Sequence, residues 1–158
     1  MLMEQEFTAV AEIYLNTIYH VALSCTPSAA DAEDAVQETM LRLWQTNTEF
    51  SSQEHIRYWL IRVCINVCRD LTRSFWHRRT VPLDACVELR FPAPEQQSLW
   101  DDLMTLPPKY KLPLYIYYYQ GYSTEEISKM LGLTASAVRS RLMRGRAKLK
   151  LQLEEEPV

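Results

Sequence analysis

An all-α chain of two small helical domains joined by a linker, the second a helix-turn-helix domain of four helices, is predicted by three features of the 158-residue sequence. Apolar residues recur at helical spacing from Phe7 to Phe75, that period is lost from Arg78 to Glu95, and it returns from Gln97 onward. Pro82, Pro92 and Pro94 all fall in the interruption. The first domain is therefore placed at 1–78, the linker at 79–95 and the second domain at 96–153. A domain this small buries only about 60% of the surface its unfolded chain exposes, so a binding partner is an easy source of stability.

The first helix carries Phe7, Val10, Ile13, Tyr14, Ile18, Val21, Ala22 and Cys25 inward, and Pro27 ends it. Ser28 followed by Asp31 reads as a capping box for the second, whose apolar stripe is Ala32, Ala35, Val36, Thr39, Met40, Leu43 and Trp44. Its other face is polar and mostly acidic: Asp31, Glu33, Asp34, Gln37, Glu38 and Arg42. A third helix starts near Ser51 with Glu54 as capping partner, and turns Ile56, Trp59, Leu60, Val63, Cys64, Val67, Leu71 and Phe75 inward. Arg62, Asn66, Arg69 and Arg73 line its outer face, nearly one per turn.

The second half is helical over Gln97 to Leu106 and Lys109 to Gln120, then in two shorter helices. Tyr115, Tyr117, Tyr118 and Tyr119 form an aromatic cluster that fits a small core better than a base-stacking platform. Residues 123–144 read STEEISKMLGLTASAVRSRLMR. Ser123 caps a short helix with Ile127 and Leu131 inward, Ser128 is small where two helices must cross, and Gly132 supplies the turn. Thr134 caps the next helix, with Val138 and Leu142 inside. Small, glycine and apolar positions all fall in the register of a helix-turn-helix, which lays its second helix in the major groove. Ser136, Arg139, Ser140, Arg141, Met143 and Arg144 are the residues placed to reach base edges and phosphates.

Charge divides along the same lines. The total is −3, but residues 1–50 hold Arg42 against eight acids, while 55–80 hold six arginines against Asp70. Residues 139–150 carry Arg139, Arg141, Arg144, Arg146, Lys148 and Lys150 with no acid. Two basic islands on an acidic protein suit a polyanion held by counterion release, with the acidic remainder suppressing indiscriminate binding.

Other chemistries lack their residues. No apolar run approaches the roughly 20 residues of a membrane span, and Glu4 and Glu6 stand where a signal peptide would be basic, so the expected location is the cytoplasm. Cys25, Cys64, Cys68 and Cys86 show no C-x-x-C spacing; buried, inert thiols are expected rather than a metal site, and no cofactor is implied. Three histidines without a paired nucleophile motif, and three glycines in all, leave no basis for catalysis or for a small-molecule substrate.

Gly121-Tyr-Ser-Thr-Glu-Glu-Ile through Val138-Arg-Ser-Arg-Leu-Met-Arg-Gly-Arg-Ala-Lys-Leu149, with the preceding Leu106-Pro-Pro-Lys-Tyr, resembles the carboxy-terminal domain of bacterial sigma factors. Asp31-Ala-Glu-Asp-Ala-Val-Gln-Glu-Thr-Met-Leu-Arg-Leu-Trp44 resembles the core-polymerase-binding helix of the amino-terminal domain, and Tyr58-Trp59-Leu60-Ile61-Arg62 with Asn66 its promoter-facing helix. The likeness runs through nearly the whole chain in order, and at this length it is to the extracytoplasmic-function group, the minimal members of the sigma-70 family. It implies that Asp31, Asp34, Gln37, Glu38 and Arg42 dock on the clamp helices of the largest polymerase subunit, and that the second domain meets the flap of the second-largest. It further implies that Arg62, Asn66, Arg69 and Arg73, with the loop Thr48 to Glu54, capture and open the −10 element. The helix 134–148 would read the −35 element, the linker would run toward the RNA exit path, and an anti-sigma factor, free or membrane-bound, would restrain the protein. Ser128 stands where alanine is usual, and the cysteines are no part of the pattern. A stand-alone helix-turn-helix regulator is the main rival, but it would bring a receiver or ligand domain with strands, where residues 1–78 read as helices only. A sigma-like phage or plasmid regulator would differ only in its partner.

Overall fold

The structure, a computed structural model, describes residues 2–73 and 97–155. The described residues form helices and no strand: α1 Glu4–Cys25, α2 Ala29–Gln45, α3 Gln53–Arg73, α4 Gln97–Met104, α5 Pro108–Gln120, α6 Thr124–Leu131 and α7 Ala135–Glu155. The chain divides into two units, Met1–Arg90 and Phe91–Val158. The expected linker 79–95, and with it Phe75, His77 and Cys86, lies outside the described residues.

In the first unit α1, α2 and α3 pack pairwise on one another. Ile18, Val21, Ala22, Ala32, Ala35, Val36, Leu43, Leu60, Ile61 and Cys64 are completely buried. Tyr14 crosses from α1 to the start of α3, its hydroxyl donating to the Gln53 carbonyl at 3.2 Å and to Gln53 Oε1 at 3.0 Å. At the end of α1 the Thr26 hydroxyl donates to the Ala22 carbonyl at 2.7 Å, which satisfies one of the last-turn acceptors. Ser28 caps the start of α2 as expected, although the second bond is not the reciprocal one of a capping box: Ser28 Oγ accepts from the Asp31 amide at 3.2 Å and donates to the Asp31 carboxylate at 2.9 Å.

Three expectations for this unit need correction. Ile13 is 58% exposed: its helix-surface neighbours Ala9 and Asn16 are exposed with it, so it lies off the face of α1 that packs on α2 and α3. On α3, Ile56, Trp59 and Val63 are only half-buried, whereas Ile61, Ile65 and Cys68 are buried; two neighbouring helices broaden the inward face beyond a single stripe and rotate its centre. The α3 cap is Ser52, not Ser51 with Glu54. Ser52 Oγ accepts from the His55 amide at 3.1 Å, the Ser51 amide donates to His55 Nδ1 at 3.0 Å, and Glu54 pairs instead with Arg57 at 3.2 Å.

In the second unit α7 packs against α4, α5 and α6. Pro107 and Pro108 open α5, where a missing N–H costs nothing. Gly121 closes it at φ 74°, with its amide on the Ile116 carbonyl. Trp100 meets Tyr115 and Tyr119 edge-on at 5.6 and 6.1 Å, and those two tyrosines stack at 5.2 Å. The tyrosine cluster thus splits: Tyr115 and Tyr119 join this core group, while Tyr117 and Tyr118 are 36% and 58% exposed. The last helix is not short. It runs 21 residues, through Gly145, whose missing side chain admits α5: a Cβ there would stand 2.7 Å from Leu114 Cδ1 and 3.3 Å from Tyr110 Cβ.

Candidate nucleic-acid interface

The helix-turn-helix is built from two side-chain caps and a glycine. Ser123 Oγ accepts from the Glu126 amide at 3.1 Å while the Ser123 amide donates to the Glu126 carboxylate at 3.0 Å, the reciprocal capping box. Ile127 and Leu131 are buried, as expected, and Gly132 takes the left-handed conformation at φ 67° that makes the turn. The Leu133 amide returns to the Ser128 carbonyl at 3.0 Å. Thr134 then starts α7, its hydroxyl oxygen accepting from the Ala137 amide at 3.0 Å. Val138, Leu142 and Gly145 face the unit's core, so the opposite side of α7 is fixed outward.

That outward side holds Ser136, Arg139, Met143 and Arg144, all exposed, with Met143 at 63%; Ser140 and Arg141 are half-exposed. The Arg139 charge is felt at the start of α6. The Glu125 carboxyl there is held below the usual carboxylate range by its own backbone amide, by the Thr124 hydroxyl at 3.1 Å and by the Arg139 charge. Further along α7, Arg146 lies over the Tyr118 ring at 5.8 Å and Lys148 over the Tyr110 ring at 5.6 Å. Both cations thereby lie over tyrosine rings of α5, with their charge still toward solvent.

In the first unit Arg62, Asn66 and Arg69 form an exposed line on α3; Arg73 lies in its last turn. Beside this line sits an aromatic group that the sequence reading did not assemble. Phe50, in the loop between α2 and α3, meets His55 edge-on at 5.1 Å and Trp59 at 5.5 Å. The Thr46 and Thr48 hydroxyls bond each other at 2.8 Å in the same loop. The sequence treats Phe50 as a loop residue; only its spacing from His55 and Trp59, once α3 is known to start at Gln53, would have grouped them.

The acidic face of α2 is continuous. Asp31, Asp34, Gln37 and Glu38 are half-exposed and Arg42 exposed, with Arg42 paired to Glu38 at 3.2 Å. Leu41 lies among them, 47% exposed, seven residues from Asp34 and therefore on the same side. Sequence reading missed it as a surface residue, although its position off the stripe of Ala32, Ala35, Val36, Thr39 and Leu43 was a usable signal.

An acidic helix face that includes an exposed leucine, an arginine line beside an aromatic group and a helix-turn-helix are together the features of a two-part DNA-binding protein with a second, acidic surface suited to a basic partner. The comparisons place it more narrowly. Residues 10–79 match the Sigma-70 region 2 family and residues 96–149 the Sigma-70, region 4 family. The ECF RNA polymerase sigma factor SigL of Mycobacterium tuberculosis is 31% identical over 156 residues, spanning 93% of this chain and 88% of the relative. The probable RNA polymerase sigma factor RfaY of Xanthomonas campestris pv. campestris is 28% identical over 95% of this chain, which spans only 41% of that relative's length. The sigma factor RpoE of Bartonella quintana, solved with the anti-sigma factor NepR, shares the fold at a TM-score of 0.70 and 20% identity, over 97% of this chain and 99% of that one. The chain belongs to the extracytoplasmic-function group of RNA polymerase sigma factors.

Proposed function

We propose that this chain confers promoter specificity on core RNA polymerase through three surfaces, without catalysing a reaction itself. The observation that carries the reading is the joint presence of a capped helix-turn-helix with an outward Arg139, Met143 and Arg144 and, in the other unit, an acidic α2 face beside the arginine line of α3.

Residues 1–78 supply polymerase binding and −10 capture. Asp31, Asp34, Gln37, Glu38 and Arg42 dock on the clamp helices of the largest subunit, and Leu41 gives this polar face an apolar anchor. Arg62, Asn66, Arg69 and Arg73 hold the −10 strand. Melting needs cations along a single strand and a surface that prefers an unstacked base, since unstacking costs only a few kcal/mol. The Phe50, His55 and Trp59 group offers such a surface. Residues 96–153 read the −35 element, with Ser136, Arg139, Ser140, Arg141, Met143 and Arg144 in the major groove, and meet the polymerase flap; residues 79–95 join the two domains. At about 3.3 Å per extended residue a linker of this length spans roughly 55–60 Å, enough for two grooves of one duplex. The work is cytoplasmic, where polymerase and promoter are, and an anti-sigma factor restrains the free chain, as NepR is bound to its sigma factor in the Bartonella complex.

The test is charge reversal on α2. Asp34→Lys with Glu38→Lys lies off the buried stripe, so helical content stays unchanged while affinity for core polymerase falls. Unchanged affinity in a titration against immobilised core removes α2 as the docking face.

A further inference from the structure

The three cysteines among the described residues, Cys25 on α1 and Cys64 and Cys68 on α3, lie where these two helices pack. Cys64 is completely buried on α3 and its thiol approaches the Ile18 carbonyl of α1 at 3.7 Å. That contact sets the register of the two helices: one turn further along α3, Cys68 comes alongside the last turn of α1, which holds Cys25. The Cys68 thiol lies near enough to Cys25 and Cys64 for both to shift its acidity. Cys68 is 1% exposed, Cys25 is half-exposed, and Cys25 bonds the Val21 carbonyl at 3.2 Å. No trio of metal-ligating side chains among the described residues is arranged to hold an ion. Of the three, Cys25 alone is more than marginally exposed.

We propose that Cys25 and Cys68 are an oxidation site, closing to an intramolecular disulfide when a hydroperoxide reaches Cys25. The Cys25 thiolate attacks one oxygen of hydrogen peroxide; the O–O bond breaks, hydroxide leaves, and Cys25 becomes a sulfenic acid. The Cys68 sulfur then attacks the Cys25 sulfur, forming the S–S bond and releasing the sulfenic oxygen as water with the Cys68 proton. In sum two thiols are oxidised by two electrons and one peroxide is reduced to two waters. Entry at Cys25 follows from exposure. Cys25 and burial hold the Cys68 thiol well above the usual range, and Cys68 and burial do the same for Cys64, so neither supplies the attacking thiolate. The link ties the end of α1 to α3 around α2, the helix that carries the polymerase-docking face.

The experiment treats the full chain with hydrogen peroxide, alkylates the remaining thiols under denaturing conditions and maps the peptides by mass spectrometry. The expected product is a monomer lacking two hydrogens, with the Cys25 and Cys68 peptides joined and Cys64 and Cys86 alkylated. The joined product should melt at a higher temperature than the reduced chain, because the cross-link restricts the unfolded state. In Cys68→Ala, Cys25 should stop at the sulfenic acid and be trapped by dimedone, whereas Cys25→Ser should give no adduct at Cys68. Cys64→Ala and Cys86→Ser should still form the link. Four alkylated thiols after peroxide, a link to Cys64, to Cys86 or between chains, or a Cys25 that proceeds to sulfinic acid in the unaltered protein would each overturn the proposal.

Discussion

Replacing Gly145 by alanine sets two effects of opposite sign against each other. In a helix interior alanine is favoured over glycine by about 1 kcal/mol, so a surface glycine would yield a more stable variant. At Gly145 the new methyl would stand 2.7 Å from Leu114 Cδ1, 3.3 Å from Leu114 Cγ and 3.3 Å from Tyr110 Cβ. Carbon atoms in contact sit about 3.5–4.0 Å apart, so the shortest approach is too close by about 1 Å. Leu114 is 2% exposed and Tyr110 7%, so neither has room to retreat without moving α5 from α7. Overpacking of this kind costs about 1–3 kcal/mol, which leaves a net loss of about 1 kcal/mol. Hydrogen exchange on the full chain reads this directly: the slowest amides of α5 and α7 should exchange about five times faster. Leu114→Ala alone should cost about 2–5 kcal/mol, but in Leu114→Ala with Gly145→Ala the two losses should sum to less than their total, because the methyl occupies vacated space. A Gly145→Ala variant with slower exchange would show that helix propensity governs the position and that the α5–α7 approach is looser than described.

Other outcomes follow from single sites. Arg139→Ala should cost about 1–3 kcal/mol on the preferred −35 sequence and relax discrimination at one base pair, whereas Lys148→Ala should weaken binding evenly and lower the salt slope by about one unit. An even loss across single-base variants for Arg139→Ala, measured with holoenzyme, would make Arg139 a phosphate contact. Burial holds the His20 imidazole below its ordinary value of 6.5, so as pH falls the unfolded chain takes up the proton first and the stability of neutral His20 is lost. Thermal melting between about pH 7.5 and 5 should therefore fall less steeply in His20→Gln than in the natural chain; equal slopes would exclude His20 as the cause. Ser123→Ala removes the amide acceptor of the capping box and should cost about 1 kcal/mol, read as faster exchange of the first α6 amides with α3 unchanged.

What the sequence made legible was whatever one chain segment decides alone. Ser28, Ser123, Gly132 and Thr134 act on amides within a few residues, so their caps and turn could be read directly. The outward line Arg62, Asn66, Arg69 likewise follows from period alone. Harder were the positions decided by how many neighbours a helix has. Ile13 is exposed and Ile61 and Ile65 buried because α1, α2 and α3 each meet two others, which no single-helix pattern contains. No single-helix pattern shows either that the small size of Gly145 is what lets α5 approach α7. Leu41 and Phe50 were missed because neither belongs to a periodic stripe: the structure shows that Leu41 is exposed beside the acidic residues of α2 and that Phe50 reaches His55 and Trp59.

The most direct measurement is run-off transcription with purified core polymerase and this chain on a library of random upstream sequences, with the start sites mapped. The account predicts that the chain makes core polymerase initiate at discrete sites preceded by two conserved elements, near −35 and −10. It predicts also that the chain alone binds those sequences weakly at physiological salt, since the acidic first 50 residues repel the duplex until polymerase holds it. Tight specific binding by the chain alone, with no discrete initiation when core polymerase is added, would contradict it.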